Sequence, residues 1–336
     1  MDRTSYLSKR LQTIEVQPRS ISELLRAMGE TGFQGRALAN CFDVLTQMLR
    51  EPNNTIFLGY AGSLSTTGQW KIIQWLIERR YIDVLVSTGA NISEDLFEGL
   101  GYSYYQGSHL ADDADLLEKQ IDRYYDVYAD ELQYRELEGF IGGFLGSLDS
   151  PEPLSSAEFL HRFGTYQTER GVRSITATAS QAGVPIFSPA MADSGYGVAA
   201  YVLHRKHGLR VNVDQFKDFL QLGEIGTRAA NTSVIYVGGG VPKDTIQLIT
   251  VMTDLARGGT ETYPHKYAVQ ITTDSPQWGG LSGCTFEEAI SWGKIDQGGQ
   301  RAVCYCDATI ALPLLAHALL EEGIERQDRP DFSWMF

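Results

Sequence analysis

The sequence predicts an α/β fold: a doubly wound, mostly parallel sheet with helices on both faces and a helical extension at the N-terminus. Three observations carry this reading. Six short apolar runs are each followed by a loop of small residues and then by helical apolar spacing. The length, 336 residues, suits one large α/β domain. No repeat of fixed period and no low-complexity stretch interrupts the pattern.

The first 50 residues read as helices packed on the core. Residues 20–25 have the spacing of a helix start, and Leu38, Phe42, Leu45 and Leu49 continue at helical intervals. The first strand is 55–60, followed by a small-residue loop to Gly68 and a helix through Trp70, Ile73, Leu76 and Ile77. A second strand at 82–87 leads through 88–91 to a helix at 93–100. Residues 101–180 are more polar and rich in tyrosine, and read as a helical insertion within one domain spanning 51–336.

The pattern then resumes. A strand at 185–187 precedes the loop 192–197 and a helix into His204. The strand 233–237 runs into Gly238, Gly239 and Gly240, then a helix to Ala256. The strand 267–271 is followed by a Gly-rich loop at 278–283 and a helix at 285–292. The last strand, 302–306, passes through Asp307 and Ala308 to a helix at 312–321. Such strand–loop–helix units build a Rossmann-like parallel sheet with right-handed crossovers.

Composition narrows the partners. Hydrophobic residues make up 43% and charged residues 21%, as in an ordinary globular protein. Lys and Arg number 28 against 42 Asp and Glu, so the formal charge is −14. That charge argues against nucleic acid and would steer small cationic ligands inward. No apolar run is long enough for a membrane span, and the start of the chain has no signal-peptide core. Cys41, Cys284, Cys304 and Cys306 read as buried free thiols, which points to the cytoplasm. On an extended strand the Cα atoms of Cys304 and Cys306 would be roughly 6.6 Å apart, near the upper limit for a disulfide. The six histidines lack metal-ligand spacing, so no metal site is expected.

In open parallel sheets ligands bind beyond the carboxyl ends of the strands. The Gly238, Gly239, Gly240 turn suits a phosphate at a helix N-terminus, or simply a tight strand-to-helix turn. Asp193 and Asp307 each follow a strand and suit either ribose hydroxyls or helix caps. Glu94 lies in a first helical turn, where the dipole favours a carboxylate. Lys294 follows a helix beside Trp292, near Glu287 and Glu288, and is either solvated or poised for Schiff-base chemistry.

At Glu288-Ala289-Ile290-Ser291-Trp292-Gly293-Lys294-Ile295, followed by Tyr305-Cys306-Asp307-Ala308, the sequence resembles the deoxyhypusine synthase family. The resemblance covers most of the chain and includes Ser93-Glu94-Asp95-Leu96 and Val237-Gly238-Gly239-Gly240-Val241. It implies an NAD-dependent transferase that oxidises an amine donor and captures a 4-aminobutyl imine on a lysine. The group then passes to an acceptor amine and is reduced. The resemblance places Lys294 as the imine lysine, with Glu288 and Trp292 bordering the amine. It assigns NAD to Gly62, Ser63, Thr66, Thr88, Glu94, Asp193, Gly238, Gly239, Gly240, Thr273, Asp307 and Ala308. It also implies a homotetramer with sites built across a dimer interface.

Departures shape the choice of substrate. Asp244 and Thr245 stand where eukaryotic relatives have a His pair, and Val198 and Leu281 replace two acidic residues of the amine clamp. This pattern is similar to the bacterial deoxyhypusine synthase-like branch, with homospermidine synthase-like members. The expected activity is homospermidine formation from the small amines putrescine and/or spermidine. The alternatives are modification of a lysine on a translation factor, or non-catalytic NAD binding.

Overall fold

The computed structural model describes residues 2–150, 152–326 and 328–336. In chain order the elements begin with α1 (Arg3–Tyr6), α2 (Ile21–Gly29) and α3 (Phe33–Arg50). Next come β1 (Asn54–Tyr60), α4 (Trp70–Glu78), β2 (Val84–Ser87) and α5 (Asn91–Gly99). A middle stretch follows with β3 (Tyr105–Gln106), α6 (Asp113–Glu118), β4 (Ile121–Tyr124), β5 (Val127–Asp130), α7 (Glu131–Ser147), α8 (Ser156–Glu169) and α9 (Ile175–Ala182). The remainder is β6 (Ile186–Phe187), α10 (Gly195–His207), α11 (Gln215–Arg228), β7 (Asn231–Val237), α12 (Gly240–Ala256), β8 (His265–Thr272), α13 (Phe286–Ser291), β9 (Ile295–Tyr305) and α14 (Ala308–Glu322).

Six strands pair in the order β6-β2-β1-β7-β8-β9, and every pairing is parallel. In chain order within this sheet they run third, second, first, fourth, fifth, sixth. The order therefore reverses between β1 and β7, and a crevice opens beyond their carboxyl ends. Successive side chains of a strand point to opposite faces. Ile56 and Leu58 of β1, Ile235 of β7 and Val269 of β8 join a core with α3, α4 and α14. Phe57, Val234, Tyr236 and Ala268 join a second core with α11, α12 and α13. Both faces are thus covered by helices, as the sequence predicts.

Three expectations change in detail. The last strand, expected at 302–306, already begins at Ile295 and ends at Tyr305, because its polar first half pairs with β8 without an apolar run to announce it. Apart from the single turn α1, the N-terminal region is helical only from Ile21 onward. Residues 8–18 lack a helical apolar period and end in Pro18, and their Leu11 and Val16 are exposed. From there α2 is fixed by a Ser20–Glu23 capping box, and Glu321 of α14 accepts from the Ile21 and Ser22 N–H groups. Residues 101–180 are not purely helical. They also hold a three-stranded antiparallel sheet in the order β3-β5-β4. Tyr124 pairs with Val127 across a tight turn in which Tyr125 has φ 56°. Tyrosines that thicken this segment favour strands, and the turn outweighs the helical reading.

Arg326 closes the amino end of the sheet. Its Nη2 lies 2.9 Å from Asp83 Oδ2 with both side chains buried, and it donates to the Asn54 carbonyl at 2.6 Å. Asp83 also accepts from the Ile56 N–H at 2.8 Å, which locks the entries of β1 and β2 together.

Candidate functional site

A cavity of about 400 Å³ lies beyond the carboxyl ends of four strands. Gly62 and Ser63 line it after β1, Gly238, Gly239 and Gly240 after β7, Thr273 after β8, and Asp307 and Ala308 after β9. Eight of the residues assigned to NAD by resemblance therefore meet in one place. Two other cavities, of about 320 and 450 Å³, open at the amino ends of the strands and contain none of the predicted residues.

Backbone geometry explains the small residues. Gly238 has φ 72° and Gly240 φ 57°, conformations that side chains rarely tolerate. A Cβ on Gly239 would lie 2.5 Å from the Ser282 Cα. Gly62 has φ 92° and open space where a Cβ would project. These loops let a ligand approach the backbone closely, and the α12 N-terminus favours negative charge there.

The other assigned residues lie apart. Thr66 is buried, and its hydroxyl donates to the Ser63 carbonyl at 2.9 Å, holding the loop from within; Thr67 lines the cavity instead. Thr88 is half-buried and accepts from Asn91 Nδ2 at 3.4 Å. Glu94 is buried in the first turn of α5, with Oε2 unpartnered. Burial, then the neighbouring Asp95 carboxylate, pushes its pKa up to about 7. Asp193 is exposed and caps nothing, because Ser194 accepts the Tyr196 N–H at the start of α10. Asp307 does cap α14, accepting from Thr309 N–H at 2.7 Å and from its hydroxyl at 2.6 Å, which holds its carboxyl below the usual range. Its helix-cap role and its place on the cavity wall coexist.

Lys294 is positioned by the end of a short helix. Thr285 caps α13, Glu288 is exposed in its first turn, and Gly293 turns the chain at φ 68°. Gly293 N–H donates to Ile290 O at 2.9 Å and Lys294 N–H to Ala289 O at 3.0 Å, a Schellman ending. Lys294 is half-buried, with Nζ 5.3 Å from the ring centroid of the exposed Trp292. Among the described residues no carboxylate lies within ion-pair distance of it. The Lys294 carbonyl accepts from His265 N–H at 3.0 Å, which sets it beside the start of β8. Thr273 of the cavity follows the other end of that eight-residue strand, and such a strand spans roughly 23 Å. Within one chain, the backbone of the candidate nucleophile therefore sits by the opposite end of β8 from the cavity, with Gly293 and Trp292 beside it.

Lys243 is the residue that sequence reasoning missed. It lies in the first turn of α12, 2% exposed, and burial pushes its pKa down to about 8. Its Nζ donates to Gln270 Oε1 at 2.9 Å, to Ser282 O at 3.4 Å and to Cys284 O. Gln270 Nε2 donates to both Gly238 O and Ser282 O at 2.8 Å, and Gly240 N–H donates to Ser282 Oγ at 2.9 Å. This clamp ties the glycine turn to the loop entering α13. A cation in a first helical turn opposes the dipole, and that was the available signal.

The residues present fit a dinucleotide. Open backbone at Gly62 and the positive-φ glycines after β7 offer surfaces that the chain itself does not use, and on α5, outside the described lining of the cavity, buried oxygens of Asn91 and Glu94 are unpartnered. Among the described residues no helix is long and apolar enough to cross a membrane.

Comparison with known proteins places the family. The family model "Deoxyhypusine synthase" matches residues 23–319. "Probable deoxyhypusine synthase 2" of Methanosarcina mazei is 43% identical over 325 residues, 96% of this chain and 93% of that protein. Its namesake in Archaeoglobus fulgidus is 46% identical over 306 residues, 91% of this chain and 99% of that one. The "Deoxyhypusine synthase-like protein" of Chlorobaculum tepidum is 36% identical over 321 residues, covering 94% and 91%. A solved structure from Entamoeba histolytica, provisionally named a deoxyhypusine synthase, aligns with TM-score 0.61 at 18% identity, covering 92% of this chain and 96% of that one. At that identity the likeness concerns the fold.

Proposed function

The chain belongs to the deoxyhypusine synthase family of NAD-dependent aminobutyl transferases, and on that premise we propose that it forms homospermidine from putrescine, with spermidine as a further donor. The observation that carries the choice of substrate is the altered amine clamp. Val198 and Leu281 stand exposed on the surface where acidic side chains would hold a long polyamine.

NAD, when bound, would supply a hydride acceptor for the donor amine and the hydride for the final reduction. The Gly62–Ser63 loop, the Gly238, Gly239, Gly240 turn, Thr273, Asp307 and Ala308 hold it. Thr66 and Thr88 would shape their loops, and Glu94 and Asp193, which lie outside the described lining of the cavity, are assigned to NAD by the family resemblance. Lys294, as the free amine, attacks the imine carbon of the oxidised donor. The leaving amine departs as ammonia from putrescine, or as diaminopropane from spermidine. A second putrescine amine then attacks the Lys294 imine carbon, Lys294 is released, and the new imine is reduced. Trp292 gives the alkyl chain an aromatic wall, and Glu288 pairs with an ammonium.

The absence of Lys294, Trp292 and Glu288 from the described lining of the cavity supports a site completed by a second copy, in which the cavity of one protomer meets Lys294 of its partner. A dimer of that kind, paired into a homotetramer, is our reading of the assembly. The test is the purified chain incubated with NAD, putrescine and spermidine, with products read by mass spectrometry. Homospermidine supports the proposal. The names of the archaeal relatives favour a second reading, transfer to a protein lysine. Labelling of a translation factor with no free homospermidine would put that reading first.

A further inference from the structure

Three of the four cysteines gather where β9 leaves the sheet. Cys41 on α3 and Cys304 on β9 are buried, and Cys306 is half-buried on the bend before α14. Two cysteines on one extended run would be held too far apart to bond easily. However, β9 ends at Tyr305, so Cys306 lies past the extended run, and its Sγ comes within 3.5 Å of Cys304 Sγ. Cys304 Sγ also faces the Gln34 carbonyl of α3 at 3.7 Å. Cys306, unlike Cys304, lines the cavity beside Asp307 and Ala308.

We propose that Cys304 and Cys306 are a peroxide-sensitive thiol pair in the wall of the cofactor cavity, and that closing a disulfide between them lowers NAD affinity. The proposal rests on reading this cavity as the NAD site. Cys306 is reachable from the cavity and reacts first. Its thiolate attacks one peroxide oxygen, the O–O bond breaks, and the products are a sulfenic acid and, after protonation, water. Cys304 sulfur then attacks the sulfenic sulfur, the S–O bond breaks, and a second water leaves. The two thiols together lose two electrons and two protons, and the peroxide takes them up. Burial, then the neighbouring Cys306, pushes the Cys304 thiol up to about 12, which suits a resolving partner rather than the first attacker. Ring closure draws in the bend that carries Asp307, whose carboxylate caps α14 and faces the cavity.

The test uses the full reduced chain, treated with hydrogen peroxide, alkylated with N-ethylmaleimide after denaturation, and mapped by peptide mass spectrometry. NAD affinity is measured by calorimetry before and after oxidation. The peptide holding both cysteines is expected to lose two hydrogens and take up no maleimide. Affinity should fall about tenfold, the equivalent of one lost hydrogen bond, and return on reduction with dithiothreitol. Cys304→Ser should stop at a Cys306 sulfenic acid that dimedone traps. Excess NAD present during oxidation should slow the loss. Full maleimide labelling of both cysteines after peroxide overturns the proposal, as does a closed bridge with unchanged affinity. Reduced protein that binds no NAD overturns the reading of the cavity and the coupling with it, while the mapping still reports the chemistry of the pair.

Discussion

Lys243, in the first turn of α12, donates to the backbone carbonyl of Cys284, two residues before α13 begins. One buried ammonium thereby holds the loop that joins the cofactor cavity to the helix preceding Lys294. Among the described residues it has no carboxylate within ion-pair distance, and neutral acceptors satisfy it instead. Lys243→Met keeps the length but abandons Gln270 Oε1 and the Cys284 carbonyl, each costing about 1–3 kcal/mol when left buried and unsatisfied, while Ser282 O keeps its bond from Gln270 Nε2. NAD affinity and kcat should both fall, while far-UV circular dichroism stays close to wild type. Unchanged NAD affinity and kcat would show that the clamp does not position the site.

Glu94 should make stability depend on pH. Its folded pKa, about 7, lies above the unfolded value of 4.5. The native state therefore binds this proton more tightly, and its contribution is complete at low pH and lost as pH rises from about 4.5 through 7. Glu94→Gln stays neutral and lacks that loss. Denaturant unfolding of the NAD-free protein between pH 5 and 8 should show the variant gaining on wild type by up to roughly 3 kcal/mol. Parallel pH profiles would assign the buried charge elsewhere.

Most of the fold was legible because the strands of the large sheet, apart from the polar first half of the eleven-residue β9, are short, apolar and punctuated by small residues. The run at 233–237 ending in three glycines and the run at 55–60 both became strands at their expected places. The small antiparallel sheet was not legible, since its four-residue strands β4 and β5 carry charge and tyrosine without a clear period of two. In the site, the glycine turn and Asp307 could be read from position alone. Thr66 could not be told from Thr67, because neighbouring loop residues differ only in which one turns inward. Lys243 was passed over because its partners, Gln270, Ser282 and Cys284, come from distant parts of the chain.

On the proposed reading of the cavity, Asp307 joins stability to cofactor binding. Asp307→Ala removes the α14 cap, which costs about 1 kcal/mol of stability, and an acceptor for NAD, which costs about tenfold in affinity. Asp307→Asn should restore most of the cap and less of the affinity. Asp193→Ala, which removes no cap, should weaken NAD binding with an unchanged melting temperature. Calorimetry and thermal unfolding on the same samples separate the two effects. Full NAD affinity in both alanine variants would remove these residues from the site.

Substrate choice should turn on Leu281. A diammonium ligand needs a negative partner at each end, or it remains better solvated in water. Leu281 is exposed on the loop preceding α13, so a carboxylate there is tolerated by the fold. Wild type should have a higher kcat/KM for putrescine than for spermidine as donor, and Leu281→Asp should shift the ratio towards spermidine. A wild type that prefers spermidine, with no shift in Leu281→Asp, would leave the clamp reading without support.

Borohydride trapping asks whether Lys294 carries the aminobutyl group as an imine during turnover. Protein turning over with NAD and putrescine is quenched with borohydride, digested and mapped by mass spectrometry. The expected result is an aminobutyl adduct on Lys294 alone, absent without NAD, with no product formed by Lys294→Ala or Lys294→Arg although both still bind NAD. An adduct on another lysine, or near wild-type turnover in either variant, would contradict that role.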